Sequence, residues 1–504
     1  MSGKPEARHM ATETLTTDAA RTTGQSTSPA PAQPGPARFA RRELLVLVVL
    51  CAAQFMVALD FSILNVALPT IGTDLGMSAS TLQWAITAFA LPSGGFLLLL
   101  GRTGDLFGRR KLFLGGLALF GAASLVATLA PTPAVFLAVR ALQGLGAAAI
   151  VPTAMALLTT TFEEGPRRAR ALGVAGTLLS LGFTVGMVLG GVLTDTLGWR
   201  STMAVLTVAS ALVLPLARVF LHESRHEGPN RPRLDIPGAA TVTGGLLAVI
   251  YALSTAASRG FGHPDVLGAL VVGAALLVAF VVVESRTAQP LVSLPLLRRR
   301  TVAWGNLGGL VTFSMMSTVV FVLTLYLQDV LGLDAFWTGL VFGAQGVLSV
   351  GAGVLAPRFV GRFGGARTLV GALVGQGLFV TTLLALGTSR GSVWLAVAGV
   401  SLASVFHLAA IISYGVTATS GVADDQQGLV TGLVTTTQQV GITVGIPLLG
   451  VLATTASSLE RGTHVVLALD AAIVLVAAVV VGIGLRVWRP VTTAAATKAA
   501  VATA

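Results

Sequence analysis

Apolar runs of about 18 to 27 residues recur along the whole chain, each long enough to carry a helix across roughly 30 Å of hydrocarbon at 1.5 Å per residue. They lie at approximately 44–66, 81–100, 112–130, 134–160, 171–193, 202–221, 237–257, 266–283, 303–327, 338–357, 368–387, 392–414, 427–453 and 465–485, about fourteen spans in all. Composition agrees: of 504 residues, 54% are apolar and 11% charged, where a soluble domain carries about 25% charged residues. No aqueous surface can be built from so few charges. The expected fold is therefore all-α and integral to a membrane.

Lys and Arg are retained on the cytoplasmic side, so their distribution orients the spans. With the N-terminus inside, the inner segments hold roughly 27 basic residues, among them Arg41, Arg42, Lys111, Arg167, Arg168, Arg170 and Arg298 to Arg300, and the outer loops about four, Arg200, Arg259, Arg390 and Arg461. Shifting the count by one span inverts the bias, so both termini are expected to be cytoplasmic. The formal net charge of +11 is dispersed over these inner loops rather than gathered on one face. That pattern argues for membrane topology and contact with anionic lipids, and against nucleic-acid binding. Cys51 is the only cysteine, so no disulfide can form within the chain. The first apolar run follows Arg41 and Arg42, is longer than a signal-peptide core, and is expected to be retained.

Residues 1–40 are rich in Ala, Thr, Ser and Pro and read as a disordered cytoplasmic tail, as do residues 489–504. A polar stretch with Pro229, Pro232 and Pro237 opens a segment, 222–300, that carries a linker and two spans. Either side of it lie six-span blocks, 41–221 and 301–488. An internal echo supports this division: GRTGDLFGRRK from Gly101 to Lys111 and GRFGGAR from Gly361 to Arg367 each follow the second span of a block.

Four stretches carry the functional signal. In GRTGDLFGRRK, Gly101 and Gly108 permit close helix approach and a tight turn, and Asp105, placed near a helix start, can pair with Arg109 beside Arg110. LDFSILNVALP, from Leu59 to Pro69, puts Asp60 inside the hydrocarbon, where an ionisable group is costly enough to mark function, with a structural hydrogen bond as the competing role. RALQGLGAAAIVP, from Arg140 to Pro152, places Arg140 about six residues, or 9 Å, from the outer end of its helix, matching the depth of Asp60 in span one. The competing role there is a snorkelling interface residue. Gly173, Gly182, Gly186, Gly190 and Gly191 form a small-residue series along span five.

Together these stretches resemble the major facilitator superfamily, in particular its fourteen-span drug:proton antiporter branch, from about residue 40 to 488. One departure stands in the span-five series, where Met187 occupies the position of the proline that usually follows the third glycine. The resemblance implies two six-helix bundles joined by two linking transmembrane helices, and a central cavity opened alternately to each side. It implies proton coupling through Asp60 and Arg140, an inner gate around the Gly101 to Lys111 loop, and export rather than uptake. An importer of some other solute, or a membrane sensor without transport, are the rival readings.

Weaker candidates are Asp470 in the last span, His407 in span twelve, and Gln328, Gln345, Gln438 and Gln439 in or near C-terminal spans. Trp84, Phe89, Phe183, Phe313 and Phe321 are candidate aromatic contacts for a drug-like ligand. The chain offers no phosphate-cradling loop, no metal-spaced Cys or His cluster and no nucleophile with a base, so no cofactor or metal is expected and enzymatic function is excluded. The expected partners are a small amphipathic or cationic substrate, protons and membrane lipids, and the expected location is the cell membrane, as a monomer.

Overall fold

The computed structural model describes residues 39–162, 166–223, 235–287, 294–422, 426–450, 452–453, 456 and 458–488. The two terminal tails and residues 224–234 of the linker, including Pro229 and Pro232, lie outside them. Among the described residues every regular element is helical. The helices are α1 (Arg41–Leu75), α2 (Ala79–Gly95), α3 (Leu97–Phe107), α4 (Arg109–Thr128), α5 (Pro133–Thr161), α6 (Pro166–Leu197), α7 (Arg200–Phe220), α8 (Ile236–Arg259), α9 (Pro264–Arg286) and the short α10 (Leu294–Leu297). They continue with α11 (Arg300–Leu325), α12 (Ala335–Phe363), α13 (Gly365–Thr382), α14 (Ser392–Thr419), α15 (Gln427–Gly445) and α16 (Leu459–Leu485). Single π turns, Tyr326–Val330 and Ile446–Gly450, extend α11 and α15.

Twelve of these helices are long and apolar enough to cross a membrane, or thirteen if the bent pair formed by α2 and α3 counts as one span. The expected stretch 427–453, which α15 and its π turn occupy, is not among them, because Thr435, Thr436, Thr437, Gln438 and Gln439 dilute its apolar character. Span two is broken as well: its halves meet at 49° beyond Pro92 and Gly95. Span one runs past the expected end near residue 66, because the helix continues through a more polar stretch until Gly76 turns it off at φ +64°.

The helices pair in a pattern that occurs twice. In the first half the closest partners are α1 with α6, α4 with α5, α2 with α5, and α4 with α7; in the second they are α11 with α15, α13 with α14, α12 with α14, and α13 with α16. The sequence carries the same repeat in its glycines. Gly432, Gly441, Gly445 and Gly450 reproduce the spacing of Gly173, Gly182, Gly186 and Gly191. In both copies the middle glycines press on backbone. A Cβ on Gly182 or Gly186 would meet the Phe55 carbonyl at 2.8 Å or the Leu59 carbonyl at 2.9 Å, and one on Gly441 would meet the Leu310 carbonyl at 3.0 Å. Such contact lets helices lock where no hydrophobic force draws them together in lipid.

The halves join mainly through α6 and α12. Cβ atoms on Gly339 and Gly343 would lie 2.7 Å from the Met187 carbonyl and 2.6 Å from Val188, while the Gly191 backbone presses on Ala335 and Phe336. Gln328 adds a hydrogen bond to the Val66 carbonyl at 2.9 Å. The α6 contacts lie toward the C-terminal end of that helix, and Val66 lies in the later part of α1. Nearer the start of α6, a Cβ on Gly173 would meet nothing within 4 Å, and neither would one on Gly351 in the later part of α12. The α8–α9 hairpin leans on α2, where Thr243 donates to the Gly95 carbonyl at 2.7 Å beside the bend.

Candidate transport site

Gly144 sets the site. A Cβ there would collide with the Phe89 carbonyl and lie 2.9 Å from the Pro92 ring, so only glycine lets α2 lie this close to α5. One turn earlier on α5, Arg140 therefore reaches across to α2: its Nε donates to the Ala85 carbonyl at 3.2 Å, and its guanidinium sits 4.6 Å from the centre of the Phe89 ring. Gly146 and Gly116 draw α4 onto the next face of α5, with a Cβ on Gly146 falling 2.9 Å from the Gly116 carbonyl. The approach brings Ser124 to Gln143, whose amide donates to its hydroxyl at 2.8 Å.

α1 completes the cluster with Asp60. Arg140 Nη1 donates to Oδ1 at 2.7 Å, to Oδ2 at 2.8 Å, and to the Gln143 side-chain oxygen at 2.9 Å. Asp60, Arg140 and Gln143 are each 0% exposed. A buried pair of this kind gains enough attraction to offset desolvation only when its remaining polar atoms are also bonded. Here one is not: Arg140 Nη2 is buried without an acceptor among the described residues.

A second cluster lies at the turn between α3 and α4. Asp105 stands in the last turn of α3 rather than near a helix start, and accepts from Arg109 Nε at 2.8 Å and Nη2 at 2.8 Å. A carboxylate at that end opposes the helix dipole, so the arginine offsets an unfavourable placement. Gly108 makes the turn at φ +114°, a conformation side chains resist. The space where its Cβ would stand is taken by the Glu223 carboxylate, 2.6 Å away, which accepts from the Arg110 backbone N–H at 3.2 Å. Arg110 Nη2 in turn donates to the Arg218 carbonyl at 2.6 Å, tying the loop to the end of α7.

The Major Facilitator Superfamily pattern matches residues 50–446. The chain belongs to that superfamily. It is 37% identical over 434 residues to a cephamycin export protein of Amycolatopsis lactamdurans, covering 83% of this chain and 87% of that one. It is likewise 37% identical over 429 residues to a puromycin resistance protein of Streptomyces alboniger, covering 83% of each. Among solved structures, the POT family transporter PepTSo superposes with a TM-score of 0.68 over 89% of this chain and 98% of that one, at 15% identity, which shows a shared fold. Membership of this superfamily makes the chain a multi-pass membrane transport protein and not an enzyme.

Within this superfamily fold the other candidates take varied positions. Gly182, Gly186 and Gly190 line one face of α6 against α1, Gly191 faces α12, and Gly173 faces no neighbour. Gly101 and Gly104 rest on Pro152 and Thr153 of α5. His407 hydrogen-bonds Thr312 in the second half, far from Asp60 in the sequence, and Asp470 is wholly buried with neither carboxylate oxygen bonded. Gln438 is half-buried on α15, and Gln345 is buried with its side-chain oxygen unbonded. Phe89 and Phe313 pack against Arg140 and His407, Phe183 stacks on Phe61, Trp84 lies against Tyr251, and Phe321 is core.

Sequence reasoning passes over Gln143, Ser124, Glu223, Thr312 and Gln376. Gln143 was within reach, since it follows Arg140 by three residues and so shares its helix face. The others come from segments far apart in the chain, Glu223 from beyond the end of α7 and the rest from separate helices.

Proposed function

We propose that the chain exports antibiotic-like small molecules in exchange for protons, by alternating access, with the Asp60–Arg140 pair coupling the two movements. The reading has the chain in the cell membrane as a monomer of fourteen spans, with bundles 41–221 and 301–488, a linking segment 222–300, and both termini cytoplasmic. The Gly101, Asp105, Gly108, Arg109 and Arg110 turn, braced by Glu223, serves as the inner gate. Gly191 of α6 and Gly339 and Gly343 of α12 provide the surface on which the bundles rock, while Gly182, Gly186 and Gly190 hold α6 to α1 within the first bundle.

The observation that carries this reading is the sealed ion pair itself, in a chain akin to a named exporter. With Asp60 ionised, Arg140 is compensated. With Asp60 protonated, a full positive charge remains with only the Ala85 carbonyl, Gln143 and the Phe89 ring for company. A single buried charge costs several kcal/mol. The proton-loaded protein therefore favours a conformation in which Arg140 gains water or a substrate acceptor, and this difference between states is what a coupled transporter requires. The unbonded Nη2 of Arg140 is a donor available for that acceptor. With the termini inside, contact between the halves at the outer end of α6 and α12 corresponds to a cytoplasm-facing state.

Everted membrane vesicles energised by respiration test the proposal. Adding puromycin or a cephamycin to vesicles containing the protein should release protons from the lumen, read as recovery of a quenched pH-sensitive dye, and should drive uptake of the antibiotic. Uptake that persists at full rate after an uncoupler has collapsed the gradient would rule the coupling out.

A further inference from the structure

The second half holds a polar cluster on the helices that repeat the positions of α1, α4 and α5. Thr312 belongs to α11, Gln376 to α13 and His407 to α14. Where the first half assembles an ion pair, these three assemble a chain of neutral hydrogen bonds whose direction can be read link by link. The Gln376 amide nitrogen donates to the Thr312 carbonyl at 3.4 Å, which turns the amide oxygen toward the Thr312 hydroxyl. That oxygen accepts the hydroxyl proton at 2.5 Å. A hydroxyl has one proton to give. The contact between Thr312 Oγ1 and His407 Nδ1, at 2.9 Å, must then run the other way, with Nδ1 carrying the hydrogen and donating it. In the neutral imidazole this fixes the lone pair on Nε2.

The position of His407 on α14 says which side of the helix the ring occupies. Leu402 and Val416 mark the exposed, lipid-facing stripe of α14. At about 100° per residue, His407 lies roughly 140° from the first and 180° from the second around the helix. His407 is nevertheless only half-buried as a residue, and on that side of the helix what is exposed faces the interior of the protein. Phe313 of α11 meets it edge-on with ring centres 5.4 Å apart and holds the plane of the ring.

We propose that Nε2 of His407 is a hydrogen-bond acceptor in the C-terminal half that receives an N–H or O–H donor of the transported molecule. The proposal rests on the export reading and assigns it a specificity contact in the half that lacks the ion pair. Asp60 and Arg140 respond to the proton, while His407 reads the cargo.

His407→Asn separates this role from a structural one, because its side-chain amide can still donate to Thr312 in place of Nδ1 while nothing occupies the place of Nε2. In the full chain labelled with 15N-histidine and held in lipid nanodiscs, the signal that disappears in H407N should show a protonated Nδ1 and a bare Nε2. In vesicles, H407N should melt at the wild-type temperature, keep its maximal rate, and raise the KM for puromycin and a cephamycin about two- to tenfold, the range expected for one net hydrogen bond. A proton on Nε2 in the free protein, or an unchanged KM for both antibiotics, overturns the proposal. Wild-type vesicles that export neither compound overturn the export reading itself, a result separate from the nitrogen signal.

Discussion

Arg140 grips Asp60 through a single nitrogen: Nη1 bridges both carboxylate oxygens at 2.7 and 2.8 Å, while Nη2 is buried with nothing to donate to. A guanidinium more often offers two nitrogens to a carboxylate. The one-nitrogen grip leaves the arginine half committed, and it makes the pair's mutual dependence measurable. Asp60→Asn or Arg140→Gln alone strands the other charge and should cost about 3–5 kcal/mol of stability. The double variant strands neither and should recover most of that loss while transport remains uncoupled. Melting temperatures of the purified proteins in one detergent provide the double-mutant cycle, and simply additive losses would show that the two charges do not support each other.

How far this site is legible in the sequence depends on what brings its members together. Asp60 and Arg140 stand out because charge in an apolar run is conspicuous wherever it falls. Their matching depth follows from the ends of the apolar runs, yet α1 continues to Leu75 and α5 begins at Pro133, so helix length and membrane thickness are different rulers. The bend beyond Gly95 and the diluted apolarity of α15 blur the span count because hydropathy is averaged over a window: a break leaves no mark on that average, while a few Thr and Gln residues lower it in a helix still long enough to cross. Thr312, Gln376 and His407 are ordinary residues in three separate apolar helices. Only the packing of α11, α13 and α14 makes them one network, so no local pattern announces it.

The glycines of α6 should not behave alike, although they form one series. Gly186 lies under the Leu59 carbonyl and the Ser62 side chain, and Gly445 presses on Ser314, whereas Gly173 has open space around it. Gly186→Ala and Gly445→Ala should each lose about 1–3 kcal/mol by forcing helices apart, and Gly173→Ala should be neutral or gain slightly from helix propensity. Thermal melting in detergent reads the difference. If Gly173→Ala destabilises as much as Gly186→Ala, then α6 packs differently from the arrangement described.

At the α3–α4 turn, Glu223 fills the space that any side chain at position 108 would need. Gly108→Ala combines an unfavourable φ with loss of that brace and should cost about 1–3 kcal/mol. Glu223→Gln keeps the volume and an acceptor for the Arg110 backbone but removes the charge, so it should leave melting nearly unchanged. Antibiotic efflux separates the two: the glycine variant should be strongly impaired, and the glutamine variant only mildly. Equal impairment would mean the charge of Glu223, not the shape of the turn, governs the gate.

Asp470 presents the opposite economy from Asp60. It is 0% exposed on α16, and neither carboxylate oxygen has a hydrogen-bond partner. Apolar Leu467 and Ala471 lie beside it in a cluster with Val319, Val320 and Val380. Leaving a buried polar group unbonded costs about 1–3 kcal/mol, so Asp470→Leu should raise the melting temperature, an effect the Asp60 substitutions must not share. A costly group inside the membrane is retained where another state of the protein uses it. Asp470→Leu and Asp470→Asn should therefore both slow proton-driven efflux while leaving substrate binding intact. Gradient-driven uptake and equilibrium binding in the same vesicles distinguish the outcomes, and a variant that is stabilised yet fully active would assign Asp470 no part in the cycle.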